Sequence, residues 1–180
     1  MTRSQLEHAI RAACIIADDT ELIIFGSQSI LGQYPNPPAD LTTSIEVDVQ
    51  PVNNPDAVIK IDGALGEMSP FHSAHGFYVH GVGIEAATLA AGWKERTIQV
   101  SDPVGTHGKI GYCLEAHDLA ASKLVAYREK DRNFVRVLLN EKMVSPRTLN
   151  ERLRQLPIEN DVKERLVNWV TITAEDFELL

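Results

Sequence analysis

Residues 45–49 read Ile-Glu-Val-Asp-Val, a strict apolar–polar alternation that fits an extended strand with one buried face. Ile45, Val47 and Val49 then point to one side, and Glu46 and Asp48 to the other. Same-face neighbours on a strand stand roughly 6.6 Å apart along the backbone, so both carboxylates can converge on one hard cation. Mg²⁺ takes oxygen ligands, commonly one or two carboxylates together with substrate phosphates. The same alternation also describes a strand that simply turns two acids to water. The rest of the chain has to separate the two readings.

Upstream, Glu21–Phe25 is a short isoleucine-rich run that stops at Gly26-Ser27, as a buried strand does. Gly26 and Ser27 open a turn into a helical piece over residues 28–31, where backbone N–H groups and a hydroxyl can hold phosphate oxygens. Three prolines, Pro35, Pro37 and Pro38, make residues 33–40 an irregular loop. The strand carrying the acids follows, over residues 43–49. Ser27, Glu46 and Asp48 are expected to line one cleft at the edge of the sheet.

Elsewhere the pattern alternates between the two periods. Residues 4–17 read as a helix capped by Ser4 with Glu7 as the reciprocal acid, and residues 54–66 as a second helix. Residues 77–82, 97–100 and 109–114 are strand candidates. From His117 onward helical periodicity dominates, with breaks near Ser145-Pro146 and Pro157. The expectation is one α/β (α+β) domain over 1–180, a mixed sheet flanked by helices. Its sheet-rich part spans 1–114 and its helical part 115–180.

Bulk composition narrows the functional classes. Hydrophobic residues make up 44% and charged residues 23%, a globular balance. The apolar runs are too short for a membrane span, and the N-terminal residues mix Arg3, Glu7 and His8 rather than forming a signal peptide. A cytoplasmic setting follows, with Cys14 and Cys113 as reduced core thiols. A net charge of -8 argues against indiscriminate nucleic-acid binding but leaves room for a local basic site.

That basic site is the second constellation, His117-Asp118-Leu119-Ala120-Ala121-Ser122-Lys123 running on to Tyr127-Arg128-Glu129-Lys130-Asp131. On one continuous helix, Lys123 and Lys130 stack two turns apart. Asp131 falls on the otherwise apolar row of Leu124 and Leu138, so its carboxylate should be paired, with Arg128 or Lys130 as candidates. A charged surface helix is the plainer alternative.

The histidines, among them His72, His75, His80, His107 and His117, lack the i,i+4 helical spacing of a zinc protease, and no cysteine sits among them. They read as loop residues, with His80 the one able to substitute in an active site. Trp93 reads as core and Arg96 as exposed. Gly81-x-Gly83 lacks the third glycine of a dinucleotide fingerprint, and Ser27 lacks the G-x-S-x-G of a hydrolase nucleophile.

Taken together, strand-Gly-Ser, acid-x-acid strand, and helix with lysine and downstream Lys-Asp resemble the DUF6036-type bacterial nucleotidyltransferases, related to the AbiEii toxin-like minimal nucleotidyltransferases. The similarity runs through Gly76-Phe77-Tyr78-Val79, Gly92-Trp93-Lys94-Glu95-Arg96 and Asp118-Leu119-Ala120-Ala121-Ser122-Lys123-Leu124 to Arg128-Glu129-Lys130-Asp131-Arg132-Asn133-Phe134-Val135. It implies Mg²⁺ (or Mn²⁺) and an NTP as nucleotidyl donor. The acceptor would be RNA or protein, and a toxin–antitoxin setting would add a cognate partner protein. By that resemblance Gly26 and Ser27 hold triphosphate, and Glu46 and Asp48 bind metal. Lys123 neutralises phosphate charge, Asp131 orients it or completes the site, and Arg128 and Lys130 join the nucleotide-binding residues. The first metal acid is Glu46 where Asp is usual. The strand expected to bring a third acid offers only His80, with Glu85 just beyond it as a substitute. A weakened domain that binds a nucleotide or a partner is the alternative to an active enzyme.

Overall fold

The computed structural model describes residues 1–179. Five strands, β1 (Glu21–Phe25), β2 (Glu46–Pro51), β3 (Tyr78–Gly81), β4 (Ile98–Val100) and β5 (Ile110–Cys113), form one sheet in the order β3-β2-β1-β5-β4. The sheet is mixed: β1 runs antiparallel to β2 and parallel to β5, β2 parallel to β3, and β4 antiparallel to β5. The chain divides into two compact units, Met1–Ala87 with Thr97–Leu114, and Thr88–Arg96 with the chain from Glu115 onward. The strand candidates and the flanking-helix architecture expected from sequence are present.

In the first unit, α1 (Arg3–Ala17) lays Leu6, Ile10 and Cys14 into the core. Its cap lies earlier than the sequence suggested. The Thr2 hydroxyl accepts from the Gln5 N–H at 3.2 Å, and Gln5 Oε1 accepts from the Thr2 N–H at 2.8 Å. Glu7 pairs instead with Arg3, at 3.0 Å. Where α1 crosses β5 there is no room for a side chain. A Cβ on Gly111 would come within 2.7 Å of Ile10 Cδ1 and 2.6 Å of Ile24 Cδ1. Ile24, Val49 and Val47 therefore face α1, and the alternate residues Glu46 and Asp48 face the opposite side of the sheet. α2 (Ile30–Gln33) packs on β4 and β5, and α3 (Val58–Leu65) on β2 and β3.

Two elements differ from the expected bounds. β2 begins at Glu46, which leaves Ile45 exposed ahead of the strand rather than in its apolar row. A short helix, α4 (Pro70–His75), takes in His72 and His75, which the sequence reading placed in a loop. Its signal is local: Ser69 Oγ accepts from the His72 N–H, and Pro70 takes the first helical position, where no N–H is needed.

The second unit is helical: α5 (Ala116–Ala126), α6 (Glu129–Asn140), α7 (Pro146–Arg154) and α8 (Asn160–Asp176). The continuous helix expected through residues 118–138 does not exist. Tyr127 takes the left-handed conformation at φ 53 and Arg128 is extended, so α5 ends and α6 restarts. Arg96 is not an exposed cation. Its Nε and Nη2 reach the fully buried Asp118 carboxylate at 2.7 and 2.9 Å, tying the 88–96 segment to α5. No helix among the described residues is long and apolar enough to cross a membrane.

Candidate metal and nucleotide site

Parallel pairing of β2 with β3 sets Glu46 beside Tyr78 and Asp48 beside His80. Directly opposed side chains on one face lie close together, so the register alone brings an imidazole to the two carboxylates. His80 Nδ1 is 2.9 Å from Asp48 Oδ1 and 3.2 Å from Glu46 Oε1. One ligand atom from each of Glu46, Asp48 and His80 lies within 4.8 Å of the others. All three are half-buried. β2 is an inner strand, so the acids sit one strand in from the sheet edge.

The electrostatics follow from this crowding. Burial pulls the His80 pKa down, but its hydrogen bond to Asp48 and the charges of Asp48, Glu46 and Asp62 outweigh that and raise it above the ordinary histidine value. Tyr78 is raised as well, by burial first and then by the surrounding carboxylates, with its hydroxyl bonded to Glu46. Tyr78 thus holds one acid and His80 bridges both.

The Gly-Ser turn abuts this group. Gly26 has φ 66, and a Cβ there would lie 2.1 Å from Asp48 Oδ2. Only glycine leaves that carboxylate in place. Ser27 starts the 3₁₀ turn Ser27–Ser29, and Ser29 Oγ donates to the Gly26 carbonyl at 2.9 Å, bracing the loop. Glu85, the acid considered for the third position, is exposed on the turn Ile84–Ala86 and is not part of the cluster.

In the second unit, the break between α5 and α6 brings Lys123 Nζ to 3.3 Å from Asp131 Oδ1. Arg128 Nε lies 2.6 Å from Asp131 Oδ2, so the buried carboxylate has two cations. Lys130, the other sequence candidate for this pairing, is exposed, and it does not stack with Lys123 because the two belong to different helices. Lys123 lies with its ammonium 4.4 Å from the Phe134 ring centre, and its side chain is only 12% exposed. Burial lowers its pKa more than Asp131 raises it. For Asp131, burial pushes the pKa up, but the Arg128 hydrogen bond and the Lys123 charge win and lower it.

A family model described as a nucleotidyltransferase of unknown function (DUF6036) matches residues 4–177. The chain belongs to that family. No curated protein and no solved structure matches it.

Within this DUF6036 nucleotidyltransferase, the residue that sequence reasoning undervalued is His80. Its signal was present, since it follows Tyr78 with the same two-residue period as Glu46 and Asp48. What could not be read was the strand-to-strand register that sets it against Asp48. Two carboxylates and one imidazole form a donor set for a divalent cation. The imidazole nitrogen suits Mn²⁺ and other first-row metals better than it suits Mg²⁺.

Proposed function

We propose that this chain is a divalent-metal-dependent nucleotidyltransferase that moves a nucleotidyl group from an NTP to an RNA or protein acceptor. What carries this reading is the convergence of Glu46, Asp48 and His80 against the Gly26 turn, with Gly26 in contact distance of a ligand carboxylate. Glu46 and Asp48 would hold Mg²⁺ or Mn²⁺, with neutral His80 as a third ligand. The bound cation supplies charge neutralisation on the phosphates. Gly26 and Ser27 present the turn to the triphosphate. In the second unit, the Lys123–Asp131–Arg128 cluster, with the exposed Lys130 next to it in sequence, is the basic group that the resemblance assigns to phosphate charge. An acceptor oxygen attacks the α-phosphorus in line and pyrophosphate leaves, with positioning and charge supplying most of the rate. Work in the cytoplasm as one half of a toxin–antitoxin pair, with a cognate partner protein, is consistent with such chemistry.

A second reading rests on one observation. His80 stands where a third acid would hold metal, and in its protonated form it offsets one of the two negative charges of Glu46 and Asp48. A domain resting in that state binds a nucleotide or a partner without transferring anything. The experiment that decides is incubation of the purified protein with each labelled NTP, total RNA, and Mg²⁺ or Mn²⁺ in turn. Metal-dependent label on RNA or protein, absent in Asp48→Asn, supports the enzyme. Failure to transfer label with either metal overturns it.

A further inference from the structure

A second cleft opens on the α1 side of the sheet, the face opposite Glu46 and Asp48, and nothing in the nucleotidyl-transfer chemistry uses it. Its volume is about 390 Å³, and its walls include Ser4, Gln5, His8 and Arg11 from α1, with His75 from the end of α4 and Phe77 from the lead into β3. That volume falls in the range of small-ligand sites, roughly 300–1,000 Å³.

The lining chemistry has one sign. The chain carries 25 acidic against 17 basic residues, yet no carboxylate lines this cleft among the described residues. The neighbouring acid, Glu7, pairs with Arg3 through Oε1, and its Oε2 lies against Gly105 at the margin of the cleft. The polar lining is a hydroxyl, an amide, two imidazoles and a guanidinium, with the Gly105 carbonyl beside them. His8 and His75 pack edge to face with ring centres 4.6 Å apart, and both rings rest on Phe77 at 5.9 and 6.1 Å. Phe71 closes the same cluster, 5.3 Å from His8 and 5.2 Å from Phe77. Ring packing orients the half-buried His8 imidazole, and the exposed His75 ring lies against it and Phe77. Arg11 is held as well, by a hydrogen bond to the Gly105 carbonyl. Burial lowers the pKa of His8, and the neighbouring Arg11 and His75 lower it further. Three cation-capable groups thus share the cleft wall, with the nearest acid, Glu7, at its Gly105 margin, an arrangement that an anion in the cleft relieves.

We propose that this cleft binds a small phosphate-bearing ligand, with His8, His75 and Arg11 as its anion donors and the His8–His75–Phe77 rings as its apolar wall. A free inorganic phosphate and the phosphate of a nucleoside monophosphate share this chemistry.

Equilibrium dialysis of the full chain in EDTA, with labelled inorganic phosphate in one arm and labelled AMP in the other, tests it. EDTA removes any metal-bridged binding at Glu46 and Asp48, and the Asp48→Asn protein serves as a control that should bind normally. Saturable millimolar or tighter binding is expected, weakened about tenfold by His8→Ala and by His75→Ala, each removing one donor. The two substitutions lie on different elements, so a folding defect in one leaves the other informative, and circular dichroism checks both. Tighter binding of phosphate identifies a free oxyanion, and tighter binding of AMP a nucleotide. No saturation by either ligand overturns the proposal, as does equal binding by well-folded His8→Ala and His75→Ala.

Discussion

Lys123 and Asp131 meet across a helix break, with Nζ 3.3 Å from Oδ1, although eight residues of sequence separate them. On an unbroken helix they would sit about two turns apart, near 12 Å along the axis, and could not touch. The left-handed Tyr127 shortens that path and turns α6 back, so that a lysine from α5 and the first turn of α6 share one carboxylate.

Breaking that arrangement is therefore a stability event. Asp131 is fully buried, and its removal leaves Lys123 without its buried counter-charge. Asp131→Ala is expected to cost about 3–5 kcal/mol in urea unfolding. Lys123→Ala should also cost stability, by about 1–2 kcal/mol, because its stem and ammonium pack against Phe134. If urea midpoints of both variants match wild type, the pair contributes nothing to the fold.

Metal preference should follow the imidazole. With His80 among the ligands, wild-type protein is expected to bind Mn²⁺ more tightly than Mg²⁺, and His80→Asp to shift the ratio toward Mg²⁺ by about tenfold. Isothermal titration with each metal reads the ratio directly. An unchanged ratio would remove His80 from the ligand set.

Gly26→Ala should separate activity from folding. At φ 66 and ψ -171 Gly26 occupies backbone space that is essentially reserved for glycine and costs an alanine about 1–3 kcal/mol, and the new Cβ displaces the Asp48 carboxylate. Metal binding is expected to fall at least tenfold while the circular-dichroism spectrum stays that of the wild type. Retained affinity would mean that Asp48 has room to move.

Asp19 gives the acid limb of the stability curve. Its carboxylate accepts from the backbone of Thr20, Glu21, Asn53 and Asn54 and from the Asn53 side chain, pinning the end of α1 to the loop after β2. Burial raises its pKa, but those hydrogen bonds together lower it below the usual value. The stabilisation is therefore present above the ordinary carboxyl pKa of about 3.9 and is lost as pH falls through the depressed folded value. Asp19→Asn should flatten the acid limb of unfolding free energy against pH, and Asp19→Ala should cost about 2–3 kcal/mol at neutral pH.

Much of the site could be read before any coordinates. Alternation placed Glu46 and Asp48 on one strand face, and the stop at Gly26 placed a turn beside a buried strand, because side-chain period and glycine punctuation are properties of the local chain. The pairing of Asp131 with Arg128 was likewise local, an i,i+3 contact within one turn of α6. His80 was different. Its place against Asp48 depends on β2 and β3 pairing in parallel with one particular register, and a shift of one residue would have turned the imidazole to the other face. The break at Tyr127 also escaped the pattern, since no glycine or proline marks it, and a tyrosine adopts left-handed backbone only when surrounding packing outweighs its intrinsic cost. Residue period and turn chemistry act over a few positions, and they decided which side chains this protein offers. Strand register and helix ends are settled by contacts between distant segments, and they decided which of those side chains meet.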